Sequence, residues 1–204
     1  MPEVNHPTPK EVGNAPLWIT FVIRSRLEST MGEDQLILVD ATDTQIGVAG
    51  KLETHQRHLL HRAFSIFVLN DKGELMLQRR AMSKYHCGGL WTNTCCGHPR
   101  DGEEVSQAAH RRLREEMGFD CALEEIFVFQ YAATFEGGLG ENEMDHVFIG
   151  RYDDDPTPNP DEADGWKWIT IDEVTSDILA HPDAYTYWFK EALKEMKKAW
   201  HLNA

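Results

Sequence analysis

The sequence predicts an α/β (α+β) fold, a mixed β-sheet sandwiched by helices in a single compact domain, and three observations carry that expectation. Short segments rich in apolar and β-branched residues recur between turn signals, at QLILVD, TQIGVAG, HRAFSIFVLN and GELMLQRR and again beyond residue 120. Helical periodicity appears among and after them, with Val105, Ala109, Leu113 and Met117 at four-residue spacing. The chain of 204 residues is 41% apolar and has no internal repeat, which suits one core rather than two.

The elements follow in order. Residues 1–34 form an extension of unknown role, rich in proline and polar residues apart from an apolar run at Leu17 to Ile23. That run packs on the domain, pairs with another subunit, or forms a short strand or helix of its own. The domain proper spans 35–204 and opens with a hairpin turning at Ala41 to Thr44. Lys51 to Leu60 is polar and histidine-rich and leads into the strand HRAFSIFVLN, which turns at Asn70-Asp71-Lys72-Gly73 into a returning strand. Alternation puts Leu75, Leu77 and Arg79 on one face of that strand and Met76, Gln78 and Arg80 on the other.

After a loop at Met82 to Gly89 comes WTNTCCGHPRDG and a helix over roughly Gly102 to Met117. An Asp101–Glu104 capping box is expected to open it and Gly118 to stop it. Its row Glu104, Ala108, Arg112, Glu116 places Arg112 beside Glu116. Ala122 to Thr134 reads as a strand with Ile126, Val128 and Gln130 on one face and Phe127, Phe129 and Tyr131 on the other. Met144 to Tyr152 reads as the next strand, and Asp153 to Asp164 as a solvated acidic linker. GWKWITIDEV reads as a last strand entering a short helix over Ile171 to Leu179, and Asp183 to Trp200 as a C-terminal helix.

Composition narrows the function. A formal charge of −14 argues against nucleic acid as a bulk electrostatic partner, so an anionic small substrate needs a local cluster of cations or a metal. Four cysteines, two of them vicinal, make no secreted disulfide framework, and the chain reads as reduced and cytoplasmic. MPEVNHPTPKEVG resembles no targeting segment, and Leu17 to Ile23 is too short to span a bilayer, so no membrane association is expected. No flavin-binding fingerprint appears.

Several side chains fall together by alternation. Cys96 and His98 face one side of an extended segment, whereas Cys95 points away and reads as a small buried hydrophobe. Glu141 and Glu143 also share a side. Imidazoles from His55, His61 and His98 with these carboxylates suit Mg²⁺ or a divalent first-row metal, although each histidine taken singly reads as an ordinary residue and no zinc signature is present. Lys51, Arg80, Lys84 and Arg112 together offer four cations to a phosphate group.

The central stretch resembles the Nudix box, G-x5-E-x7-R-E-U-x-E-E-x-G-U with U apolar. Gly97, Glu103, Arg111, Leu113, Glu115, Glu116, Gly118 and Phe119 match it, and Arg112 stands where hydrolases of the superfamily carry a glutamate. That missing carboxylate is one hydrolases use around the metal that activates water, and a cation there suits holding a phosphate better than cutting one.

With KLETHQRHLLHRAFSIFVLNDKGELMLQRRAMSK, WTNTCCGHP, Tyr131 followed by GENE, and YTYWF, the chain resembles the type 1 isopentenyl-diphosphate isomerases over roughly Gln35 to Phe189. The resemblance implies a Nudix-like fold and an intramolecular isomerase of isoprenoid biosynthesis. Such an enzyme interconverts isopentenyl and dimethylallyl diphosphate by protonation and deprotonation; the alternative is a Nudix hydrolase of a nucleoside or isoprenoid diphosphate. Carried over by motif, Cys96, Glu143 and Tyr131 are the catalytic set. His55, His61, His98, Glu141 and Glu143 are ligands of Mn²⁺ or Mg²⁺, and Glu116 contacts a second Mg²⁺ shared with the diphosphate. Lys51, Arg80, Lys84 and Arg112 are diphosphate contacts, and Trp91, Tyr131 and Trp188 present aromatic faces to a carbocation, worth about 1–2 kcal/mol each when desolvated. His55 and His61 are separated by five residues, fewer than in other members, which leaves His58 as an alternative to His55. The same resemblance implies a monomer or weak homodimer and no flavin.

Overall fold

A computed structural model describes residues 35–84, 86–135 and 137–202, with side chains described to residue 198. The expected extension at 1–34, with its apolar run Leu17 to Ile23, lies outside the described residues.

Among the described residues nine strands form one mixed sheet: β1 Gln35–Val39, β2 Gln45–Gly50, β3 His61–Leu69, β4 Leu75–Arg80, β5 Trp91–Thr92, β6 Cys95–Gly97, β7 Leu123–Thr134, β8 Gly140–Arg151 and β9 Ala163–Ile169. Four α-helices accompany them among the described residues: α1 Lys51–Arg57, α2 Val105–Met117, α3 Ile171–Ala180 and α4 Tyr187–Leu202. β3 organises the sheet. It runs parallel to β8 from His61↔Glu143 to Leu69↔Arg151 and antiparallel to β6 at Ser65↔Cys96. β6 and β8 therefore reach β3 from its two sides, and β7 continues the sheet beyond β8.

The two faces of the sheet bury separate cores. Phe64, Ile66, Val68, Met76 and Cys95 pack under α2 against Ala108, Ala109, Leu113 and Met117. Phe67, Leu75, Leu77, Tyr131 and Val147 pack on the other face against Val174 of α3 and Trp188, Phe189, Ala192, Leu193 and Met196 of α4. Alternation along β4 thus sorts residues as the sequence predicts, β3 alternates in the same way, and the sheet is sandwiched as expected. Among the described residues no helix is long and apolar enough to cross a membrane.

The expected turns form. Asp40 Oδ1 accepts from the amides of Thr42 and Thr44 at 2.8 and 3.1 Å, closing the β1–β2 hairpin. Asn70 Oδ1 accepts from the amides of Lys72 and Glu74 at 3.0 and 2.9 Å, with Gly73 at φ 76°. Gly118 ends α2 at φ 76°, its amide donating to Arg114 O at 3.1 Å.

Elsewhere the boundaries differ. α2 begins at Val105, because Asp101 is drawn to Gln45 Nε2 at 2.9 Å, and the preceding turn is closed by Glu103 accepting from the Arg100 amide at 2.9 Å. The Asp101–Glu104 box does not form. β8 starts at Gly140 rather than Met144, since pairing with β7 extends to Thr134↔Gly140 and carries Glu141 and Glu143 into the strand. α4 starts at Tyr187, because Pro182–Ala184 forms a 3-10 turn and Tyr185 bridges to Trp91. The acidic linker folds back on α2, the Asn159 amide donating to Glu116 O at 2.8 Å, and β9 begins within its expected span. α1 has no apolar stripe to announce it: Thr54 and His55 are its buried residues, and Leu52 is half exposed.

Candidate active site

α1 is a helix of seven residues that ends when His58 adopts a left-handed conformation at φ 54°, the Leu59 amide bonding back to Thr54 O at 3.0 Å. This reversal brings His55, on the helix, and His61, opening β3, to ring centroids 5.2 Å apart. His98 follows β6 and lies 5.0 Å from His61 and 6.0 Å from His55. Ligand atoms of His55, His61, His98 and Glu141 all fall within 4.8 Å of one another. His58 instead faces Gly138 O at 3.3 Å, so the structure brings His55 rather than His58 to the cluster.

The orientation of these rings is set from behind. His55 Nδ1 donates to Lys51 O at 2.6 Å and His61 Nδ1 to Leu59 O at 2.8 Å. Carbonyls only accept, so each Nδ1 carries its proton and each Nε2 is turned to the cluster, the arrangement that prepares an imidazole for a metal. His61 Nε2 is buried without a well-aligned hydrogen bond, 3.4 Å from Glu143 and 3.7 Å from Glu141. Three imidazoles and two carboxylates at this separation fit a hard or borderline divalent cation.

Glu143 is held on both oxygens. Oε1 lies 3.0 Å from His98 Nε2, and Oε2 accepts from Tyr131 Oη at 2.5 Å. Burial raises its pKa, but the adjoining His61 and His98 imidazoles outweigh that and hold it well below the usual carboxylate range. Burial carries His98 down to about 4 despite Glu143. Alternation on β8 places a third carboxyl on the same face, Asp145, which accepts from Ser65 Oγ at 2.8 Å and is fully buried. Burial and then the Glu143 charge hold Asp145 well above the carboxylate range.

The vicinal cysteines separate as expected. Cys95 joins the core under α2, whereas Cys96 packs against the core containing Tyr131 and Trp188. Burial pushes the Cys96 thiol up to about 12, so it keeps its proton at neutral pH. Two of the polar residues of WTNTCC are backbone staples: Thr94 Oγ1 accepts from the Val68 amide at 2.9 Å and donates to Met76 O at 2.7 Å, and Asn93 Nδ2 donates to Cys95 O at 2.6 Å.

On α2, Arg111 grips Glu103 through two bonds of 2.7 and 2.8 Å and ties the loop to the helix. Arg112 reaches Glu116 at 2.5 Å, Glu115 at 2.7 Å and Glu162 at 3.1 Å. Glu116 also accepts from Gln78 Nε2 at 2.8 Å. Gly97 permits this approach, since a Cβ there would meet Arg112 Cγ at 3.3 Å and Phe64 at 3.2 Å. Lys84 pairs with Glu162, so two of the expected diphosphate contacts converge on one carboxylate.

Arg80 lies over the Trp188 ring, 5.1 Å from its centroid, and Trp188 Nε1 donates to Thr92 Oγ1 at 2.9 Å. The Lys51 charge contributes to lowering His98 and His86. Trp91 is engaged by Lys167, 4.5 Å above its ring, and by Arg79 at 5.8 Å. Sequence reasoning passed over His86 and Glu162. His86 has its Nε2 3.5 Å from Glu141 Oε1, and burial, then Arg80, brings it down to about 3. Neither residue carried a periodic signal; Asp145 did, in phase with Glu141 and Glu143.

Comparison with known proteins places this geometry. Residues 59–190 match the NUDIX domain. Isopentenyl-diphosphate Delta-isomerase 2 of Aromatoleum aromaticum is 54% identical over 171 residues, covering 84% of this chain and 90% of that protein. Isopentenyl-diphosphate Delta-isomerase 2 of Photorhabdus laumondii is 53% identical over 161 residues, covering 79% and 91%. The crystal structure of DR0079 from Deinococcus radiodurans superposes with a TM-score of 0.67 at 23% identity, over 79% of this chain and 98% of that one, and so shares the fold. A NUDIX domain spanning most of the described residues, and identity above one half to relatives nearly covered end to end, mean that the chain belongs to the type 1 isopentenyl-diphosphate Delta-isomerases of the Nudix superfamily.

Proposed function

We infer that this protein interconverts isopentenyl diphosphate and dimethylallyl diphosphate. The observation that carries the reading is the flanking of β3 by Cys96 on β6 and Glu143 on β8, a thiol and a carboxylate reaching one sheet face from opposite sides. A double bond moves when a proton is added at the terminal carbon of the alkene and another is removed from the carbon two positions along. The atoms balance with one group giving a proton and one taking a proton, and Cys96 and Glu143 fill those roles. Positioned acid–base groups of this kind contribute about 10²–10⁴-fold.

Tyr131 fixes the Glu143 carboxylate, and the Tyr131 and Trp188 rings face the developing tertiary cation while excluding water that would capture it. Lys51, Arg80, Lys84 and Arg112 hold the diphosphate, and Trp91 supports the wall of the pocket. Mg²⁺ or Mn²⁺, held by His55, His61, His98, Glu141 and Glu143, would supply fixed positive charge that anchors Glu143 and tunes its acidity. Glu116 suits a second Mg²⁺ shared with the diphosphate. Four free thiols, at Cys87, Cys95, Cys96 and Cys121, fit a reduced cytoplasmic setting.

Proton NMR of isopentenyl diphosphate in D₂O with the protein and Mg²⁺ tests the reading. Dimethylallyl signals with deuterium incorporation, abolished in Cys96→Ala and in Glu143→Gln, are expected. Free phosphate without isomerisation would move the protein to the hydrolases.

A further inference from the structure

The loop between β4 and β5 returns on itself: the Arg80 amide donates to Leu90 O at 3.0 Å and the Gly89 amide to Arg80 O at 2.9 Å. Inside it Cys87, a residue with a side chain, sits in the left-handed region at φ 53°, and a Cβ on Gly88 would come within 2.9 Å of Met82 O. Such strain persists where surrounding contacts fix a neighbouring residue. The neighbour is His86. Its ring stacks on Phe135 with centroids 5.8 Å apart and planes 10° apart, meets the Trp188 indole edge-on at 5.8 Å, and lies 6.1 Å from the His55 ring.

Glu141 is divided between two sides. Oε2 lies 2.9 Å from His55 and 3.7 Å from His61, whereas Oε1 faces His86 Nε2 at 3.5 Å. A carboxylate that serves a metal with one oxygen is commonly steadied through the other, and loss of such a partner typically weakens metal binding by about 10- to 100-fold. We propose that His86 is a positioning residue: it steadies the outer oxygen of Glu141 so that the inner one stays turned to His55 and His61, and it thereby sets how tightly the cluster takes up a divalent cation. The proposal rests on the metal-site reading given above. It assigns to the β4–β5 loop a role in cation uptake that the diphosphate contacts at Arg80 and Lys84 do not cover.

The test is Mn²⁺ affinity, measured by competition with a fluorescent chelator on the full chain, alongside thermal unfolding of each protein in chelator. His86→Phe keeps a ring for Phe135 but removes the donor; His86→Ala removes both; His86→Gln keeps an N–H at similar reach. The expected result is Mn²⁺ binding weakened by about 10- to 100-fold in His86→Phe and His86→Ala, restored close to wild type in His86→Gln. Wild-type affinity in His86→Phe or His86→Ala overturns the proposal, and so does a loss in His86→Gln as large as in the other two, which would assign the effect to ring packing. His61→Ala separates the two levels: if wild type and His61→Ala take up Mn²⁺ equally, the metal cluster itself falls and the role of His86 with it.

Discussion

Tyr131 donates its phenolic hydrogen to Oε2 of Glu143 at 2.5 Å, from a fully paired position opposite Glu143 on the neighbouring strand. β7 and β8 fix both backbones, so the bond is preorganised rather than assembled around the substrate. Hydrogen bonds to charged groups contribute about 1.5–3 kcal/mol. Tyr131→Phe keeps the ring and removes only that donor. Its kcat is expected to fall about 10- to 100-fold with little change in thermal unfolding, and an unaltered kcat would show that Glu143 is placed without Tyr131.

Glu162 sits between Lys84 and Arg112, 3.1 Å from the latter. A diphosphate that uses these two cations must displace or share that carboxylate. Glu162→Gln removes the competing charge, and isothermal titration with inorganic pyrophosphate is expected to show binding about 10-fold tighter, the scale of one partly screened charge pair. Weaker binding would mean that Glu162 instead orients the two cations for their ligand.

Much of this was legible beforehand for identifiable reasons. Most residues whose position follows from a period were placed correctly: Cys95 and Cys96 fall to opposite cores, Arg112 beside Glu116, and Leu75 and Leu77 opposite Met76; Ile126, set opposite Phe127 by alternation, instead packs on the same core because the β7–β8 register shifts between Glu125 and Phe127. Residues whose position depends on a long-range partner were not. α1 buries a threonine and a histidine rather than an apolar stripe, so no helical period marks it. Asp101 gave up its capping role because Gln45, distant in sequence, competes for its carboxylate. Glu162 looked solvated within an acidic run and became half-buried because the run folds back on α2 toward Lys84 and Arg112.

The two vicinal cysteines offer a controlled comparison. Cys95 is fully buried among Phe64, Ile66 and Leu113, its thiol reaching Cys96 O at 4.0 Å, and the shorter C–O bond of a serine would draw its hydroxyl back from that carbonyl after it has lost water. Cys95→Ser is expected to lower stability by about 1–3 kcal/mol in urea unfolding while turnover per folded molecule is kept. Cys96→Ser reverses the pattern, losing isomerisation with a smaller effect on stability. Equal behaviour of the two variants would contradict the strand phase that sends them to opposite faces.

Glu103 and Arg111 join the loop before α2 to the helix, with side chains 17% and 18% exposed. The Arg111 hydrogen bond is the main reason the Glu103 pKa lies below its ordinary value, with the Arg100 amide adding to it and burial opposing. A carboxyl depressed in the folded state contributes stability above its unfolded pKa, near 4.3 for a free glutamate, and that contribution is lost as pH falls through the lower folded value. Glu103→Gln is therefore expected to unfold at lower urea concentration at pH 7, by roughly 1 kcal/mol for a partly exposed pair. The gap to wild type should narrow as pH drops below the free-glutamate range, because protonation then removes from wild type what the substitution has already removed. Urea midpoints for both proteins at pH 7 and at successively lower pH decide the matter: a gap that stays constant would show that the bridge acts through packing rather than charge.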